Sequence, residues 1–264
     1  MAKKPSLSPS KITTYLACPV KYRWTYVDSQ GKWYLRAKSY YSFGTTLHRV
    51  LELFHRSEDN GVETTQEALA AYDENWLDAG FHSAEEMAES YHEGKEMLEH
   101  HLDQVQKRQT TAKVIAVEKM LKIDTPNFVL SGRIDRLDEH EDGTVEIVDY
   151  KSGRASVTEE EVANDISMGV YQLLVREAYP DRSVIATIYA LRSGESASYS
   201  MSDQEIERFR RDITLLGDEI ITQEYFDLTP RLKRLCVGCD FVPLCRRQPD
   251  FAEEWEAAQI AAQL

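Results

Sequence analysis

The sequence predicts an α/β fold with a central mixed β-sheet flanked by helices. Three observations lead there. After Lys113 come three runs rich in β-branched residues, "KVIAVEKMLKI", "FVLSGRIDRLDE" and "TVEIVDYKSG", the last two joined by the tight turn "EDG". A stretch of helical spacing, "TEEEVANDISMGVYQLLVREAYP", separates them from a fourth strand, "SVIATIYALR". Helical spacing then returns in "SDQEIERFRRDITLLGDEIITQ". With helices leading, the order is helices, three strands, helix, strand, helix, which is the pattern of an α/β domain.

Each leading element has its own grounds. In "LSPSKITTYLACP", Ser8 can cap a helix, Pro9 suits its first position, and Pro19 follows Cys18 near its end. "GTTLHRVLELFH" sets Leu47, Val50, Leu51 and Phe54 at helical spacing, with His48 and His55 seven apart on a neighbouring stripe. The acidic stretch from Thr65 to Gln106 reads as two helices interrupted at Gly80 and Gly94. It has the character of a helical insertion or lid, bounded at residues 51–110.

At 264 residues, 42% hydrophobic and 29% charged, the chain is large enough to bury a core as one domain carrying an insertion. No apolar run approaches a membrane span, and "MAKKPSLSPS" holds no apolar leader core, so a cytoplasmic address without a membrane partner is expected. The net charge of −14 hides a segregation. Residues 1–50 hold nine lysines and arginines against one aspartate, while residues 51–105 hold two against fifteen acids. From Arg231 to Arg247 five basic residues face one acid, Asp240. Phosphate binding follows the local field, so the overall charge does not exclude nucleic acid.

Two adjacent strands end in chemistry. "GRID" supplies Asp135, and "IVDYKSG" supplies Asp149 and Lys151. Residues two apart on a strand share a face, so Asp149 and Lys151 project together and Tyr150 faces away. The tight turn brings Asp135 beside them. An isolated D-x-K is usually an ion pair on a half-exposed strand. Here the strand is otherwise apolar, where charge is costly unless paired or metal-bound. Two carboxylates and an ammonium suit a divalent cation, Mg²⁺ or Mn²⁺, that shares a phosphate ligand.

The four cysteines form a second group. "CVGCDFVPLC" holds Cys236, Cys239 and Cys245, and Cys18 lies at the other end of the chain. In a reducing compartment such a group is more often a metal site than a set of disulfides. Four thiolates suit a zinc ion or a cubane iron–sulfur cluster equally well on these grounds. Either would clamp the two ends together.

The motifs "GTTLH", "VEKMLKI", "LSGRIDRLD", "VEIVDYKSG" and "YQLLV", in this order, resemble the PD-(D/E)XK nuclease superfamily. The branch they resemble is the RecB/AddB-like group, which includes the iron–sulfur nuclease of CRISPR adaptation. The resemblance covers nearly the whole chain outside the acidic insertion. It implies a restriction-endonuclease-like core, with residues 1–264 forming one nuclease domain and 1–30 joined to 228–250 at a cluster. It makes His48, Glu118, Asp135 and Asp149 the metal ligands, Lys151 the catalytic lysine, and Gln172 the glutamine of a Q-x-x-x-Y motif engaging DNA or the active site. Arg176 stands where that motif has its tyrosine. The resemblance also implies a 4Fe–4S cluster on Cys18, Cys236, Cys239 and Cys245, a structural element rather than a redox catalyst.

The expected function is metal-dependent DNA hydrolysis, from ends or on single strands, in repair, recombination or CRISPR adaptation. A helicase or a CRISPR integrase would be the protein partner. Tyr15, Tyr22, Trp24, Trp33 and Tyr34, interleaved with basic residues, would offer stacking surfaces for bases. The competing readings are a non-catalytic DNA-binding module and a redox sensor that uses the cluster as its switch.

Overall fold

A computed structural model describes residues 4–56, 62–107 and 111–261. Residues 57–61 and 108–110 of the expected insertion lie outside the described residues, as do 1–3 and 262–264 at the ends. In chain order the main elements are β1 (Ser6–Leu7), α1 (Pro9–Ala17), α2 (Pro19–Tyr22), α3 (Ser39–His55), α4 (Thr65–Asn75) and α5 (Ala84–Lys107). The strands β2 (Lys113–Asp124), β3 (Val129–Glu139) and β4 (Val145–Lys151) follow, then α6 (Glu159–Asn164), α7 (Ile166–Ala178), β5 (Val184–Ala190) and β6 (Glu195–Tyr199). The chain closes with α8 (Asp203–Thr222), α9 (Val242–Cys245) and α10 (Pro249–Ala261). The described residues group into two compact units, 4–6 with 37–214 and 7–36 with 215–261.

The first unit is built on an open mixed sheet of order β1-β3-β4-β5-β6, with β2 along β3. The β2–β3, β3–β4 and β5–β6 pairs are antiparallel, and β4–β5 is parallel. A parallel neighbour needs a crossover, which α6 and α7 provide. Period-two alternation divides β4 between two cores. Val148 and Tyr150 pack with Leu47, Leu51, Tyr72, Leu98 and Leu102 from α3, α4 and α5. Val145 and Ile147 pack with Val162, Met168 and Val175 from α6 and α7. Helices therefore cover both faces, as the sequence predicts.

Three expectations need correction. Gly80 falls in the break between α4 and α5, but Gly94 lies inside α5 and does not interrupt it. A Cβ at Gly94 would come within 2.2 Å of the Tyr72 hydroxyl, so the glycine serves close helix packing. Gly94→Ala should therefore lower stability by about 1–3 kcal/mol despite the better helix propensity of alanine. A thermal melt equal to or above wild type would refute that. Second, the helix expected from Thr158 to Pro180 is two helices, because Asp165 leaves helical geometry and caps α7 through the Ser167 and Met168 N–H groups. Third, β6 was not anticipated. Its sequence "ESASY" is small and polar, as an edge strand permits, and gives no apolar alternation to read.

In the second unit Ser8 caps α1 and Pro9 opens it, as expected. Cys18 ends α1 and begins α2, its Sγ accepting from the Lys21 N–H at 3.4 Å. Segments from both chain ends pack together: Tyr15 donates to Glu219 at 2.7 Å, Tyr22 stacks on Tyr225, and Lys233 Nζ donates to the Ala17 carbonyl at 2.8 Å. Tyr15 and Tyr22 are buried in this packing, which removes them from the expected base-stacking set. Trp33 remains 89% exposed.

Candidate active site

The site begins with the two-sidedness of β4. Tyr150 turns its ring into the core beneath α3 and α5, where its hydroxyl meets Arg136 Nη1 at 2.5 Å and His55 Nε2 at 3.1 Å. Burial and the adjacent Arg136 hold the His55 imidazole well below its ordinary pKa, so it is neutral and accepts from Arg136. The main chain of the same tyrosine serves the candidate site. Its N–H donates to Asp135 Oδ2 at 2.9 Å, and its carbonyl meets His48 Nε2 at 3.0 Å. The ladder between β3 and β4 runs from the Glu139–Val145 pair to the Arg136–Val148 pair. Beyond it the Asp135 side chain takes the peptide hydrogen that a strand carbonyl would otherwise accept.

His48 Nδ1 lies 3.3 Å from Asp135 Oδ2. With Nε2–H given to the Tyr150 carbonyl, Nδ1 is the ring atom that faces the carboxylate. Burial works to lower the His48 pKa, but the Asp135 hydrogen bond and charge, with Asp149 behind, raise it overall.

Glu118 completes the group. The pairs Val117–Arg136 and Lys119–Ile134 flank it on β2 and β3, so it stands opposite Asp135. It has φ 48, the positive-φ non-glycine among the described residues, and a left-handed glutamate costs about 1–2 kcal/mol. Burial, then Asp135, pushes its carboxyl above the ordinary range, while Arg133 Nε lies 2.8 Å from Oε2. The donor atoms of His48, Glu118 and Asp135 all lie within 4.8 Å of one another. Three elements thus converge an imidazole and two acids, at the expense of backbone strain. Glu118→Gly should relieve that strain, keeping the metal-free melting temperature at or above wild type, while removing most metal-dependent activity. A variant that is clearly less stable, or as active as wild type, would contradict this role.

Asp149 and Lys151 project from the adjoining end of β4. Lys151 Nζ lies 2.5 Å from Asp149 Oδ2. Burial raises the Asp149 carboxyl to about 6, against the pull of Lys151, and Asp135 adds to the rise. The lysine stays charged: burial disfavours its ammonium, but Asp149, Asp135 and Asp165 raise its pKa. Asp165, the cap of α7, and Tyr171 were not singled out from the sequence, yet both belong to this neighbourhood. Burial and then Asp149, Asp135 and Asp165 push the Tyr171 phenol up. Gly132 of β3 admits that ring, since a Cβ there would lie 2.8 Å from Tyr171 Cε1.

Gln172 is placed differently. It is 1% exposed, and its Oε1 accepts from the Met201 N–H at 2.9 Å. Arg176, one turn on, donates to the Met201 carbonyl and to Asp203 Oδ1. Together they grip both peptide groups of Met201 and hold the connection from β6 to α8. In this state neither side chain is presented to a substrate, and the α7 residue that faces the acids is Tyr171.

The second unit holds the thiols. Cys18, Cys236, Cys239 and Cys245 are free, and Cys236 Sγ accepts from the Lys233 N–H at 3.4 Å. Burial pushes the Cys245 thiol up to about 12, with further contributions from Cys239, Cys18 and Cys236. Burial also raises Cys239, with Cys236 and Cys18 adding to it. One buried and three half-buried cysteines, close enough to feel one another, suit a bound cationic centre, which would favour thiolates at all four positions.

The model of the PD-(D/E)XK nuclease superfamily matches residues 6–246. No curated protein matches the chain. Among solved structures, SSO0001 is 12% identical over 95% of this chain and 89% of its own, with a TM-score of 0.39. A proposed exonuclease from Eubacterium rectale is 11% identical over 80% of this chain and 91% of its own, also at 0.39. No helix among the described residues is long and apolar enough to cross a membrane. With an open mixed sheet, acids on its adjoining strands and a family match spanning most of its length, the chain belongs to the PD-(D/E)XK nuclease superfamily.

Proposed function

We propose that the protein is a Mg²⁺- or Mn²⁺-dependent deoxyribonuclease acting on ends or single strands. The observation that carries this reading is the convergence of His48, Glu118 and Asp135 donor atoms within 4.8 Å, beside the Asp149–Lys151 pair. These residues fit a hard divalent cation: two carboxylates on adjacent strands and one imidazole from α3, held together before any ion arrives. His48, Glu118 and Asp135 would hold it, with Asp149 as the fourth ligand. When bound, such an ion supplies Lewis-acid charge to the phosphate and acidity to a coordinated water.

The chain's own groups do the rest. Asp149 fixes the Lys151 ammonium, which neutralises charge developing on the phosphate oxygens and stays protonated to do so. The Tyr150 N–H orients Asp135, and its carbonyl fixes the His48 ring with Nδ1 towards the acids. A cation held by His48 Nδ1 and Asp135 would take the place of the 3.3 Å contact between them.

In this reading Cys18, Cys236, Cys239 and Cys245 hold a 4Fe–4S cluster that anchors the terminal segments. The cytoplasm is its compartment, and a helicase or integrase its partner. The test is degradation of end-labelled linear DNA with Mg²⁺ or Mn²⁺ against EDTA, comparing wild type with Asp149→Ala and Lys151→Ala. Equal degradation by all three would remove the assignment.

A further inference from the structure

Tyr40, Gly44, His48 and Glu52 recur every four residues along α3, and Tyr41 and Thr45 flank that stripe. These residues line a cleft of about 360 Å³, together with Arg49, Glu118 and Arg133. Two of its walls, His48 and Glu118, are the candidate cation ligands, so whatever fills the cleft abuts the reacting phosphate. The cleft is also lined by two tyrosines, Tyr40 and Tyr41, that are 60% and 66% exposed, with ring centroids 4.5 Å apart and planes tilted by 45°, so that each can offer a face of its own. Adjacent aromatics left this open in the first turn of a helix add little to the core. Arg49 and Arg133 also sit on the cleft wall, 46% and 67% exposed by side chain, and are ion-paired to Glu52 at 2.7 Å and Glu118 at 2.8 Å, contacts that a phosphate would share. The cleft volume falls within the ~300–1,000 Å³ common for small-molecule sites.

We propose that Tyr40 and Tyr41 form a stacking platform for the unpaired base next to the scissile phosphate, with Arg49 and Arg133 taking the flanking phosphate. This rests on the nuclease reading and makes it more specific. A base reaches the tyrosine faces only when it has left a duplex, so the platform selects single-stranded ends or overhangs. It also shifts the stacking role from the aromatics of residues 15–34 to a pair on the helix that carries His48. Stacking needs the ring and not the hydroxyl.

Tyr40→Ala/Tyr41→Ala raises KM for a single-stranded oligonucleotide about tenfold or more, with kcat within a few-fold of wild type. The Phe/Phe variant keeps wild-type KM. An abasic residue placed along the oligonucleotide weakens wild type at one position and leaves the Ala/Ala variant unchanged there. Unchanged KM in Ala/Ala, or equal sensitivity to the abasic position in both proteins, overturns the platform while leaving the nuclease in place. If wild type cleaves nothing, the nuclease reading fails, and fluorescence anisotropy of the labelled oligonucleotide with Ca²⁺ still decides the platform: it stands if Ala/Ala binds more weakly than Phe/Phe and falls if the two bind alike. Thermal melts within a few degrees of wild type show that the variants fold.

Discussion

Asparagine at Asp135 is expected to cut metal-dependent hydrolysis of linear DNA by about 10²–10³-fold or more. The change is nearly isosteric, and an amide oxygen still accepts the Tyr150 N–H that Oδ2 now takes at 2.9 Å. Its melting temperature should stay near wild type, because only the charge facing His48 and Glu118 is lost. Lys151→Ala should lose activity on the same scale but pay in stability as well. It strips the buried Asp149 carboxylate of the ammonium 2.5 Å away, and breaking a buried pair costs about 3–5 kcal/mol. Adding Asp149→Asn to Lys151→Ala should restore the melting temperature and leave the protein inactive. Initial rates on end-labelled DNA, read beside thermal melts, check all three. Wild-type rates in Asp135→Asn would undo the metal site, and failure of the double variant to recover would undo the ion-pair account.

Serine at Cys239 is expected to abolish the visible absorption of anaerobically purified protein and to lower its melting temperature by roughly 10 °C. That figure follows from about 4 kcal/mol for a tether that closes a loop over most of the chain. The proposed cluster would tie Cys18 to Cys236, Cys239 and Cys245, which are free thiols without it, so its loss would release segments that are distant in sequence. A colourless wild type with zinc bound would overturn the cluster and keep the tether. A Cys239→Ser protein as coloured and as stable as wild type would overturn both.

Much of the fold is legible in the sequence because its strands are apolar and its turn at "EDG" is tight. Asp149, Tyr150 and Lys151 alternate as a strand must, and the core shows it in the opposite environments of Ile147 and Tyr150. What is not legible arises from packing between distant segments. Gly94 looks like an interruption until Tyr72 is seen against it. Gln172 reads as a motif residue until Met201, twenty-nine positions on, occupies its carbonyl. Glu118 is readable as an acid on a strand, but its left-handed backbone is a property of the β2–β3 register and of no local pattern. Tyr171 sits beside the residue that the motif emphasises, on the next face of the same helix.

Tyr150 has a consequence for how such a protein can change. Its peptide group braces the imidazole and the carboxylate, while its ring is locked to Arg136 and His55 in the interior. Repacking beneath α3 and α5 therefore alters the pitch of that peptide, and with it the aim of the imidazole and carboxylate it holds. The interior and the reaction chamber cannot drift independently. Lineages that remodel the acidic helices would have to preserve this one phenol, or re-evolve the brace with it.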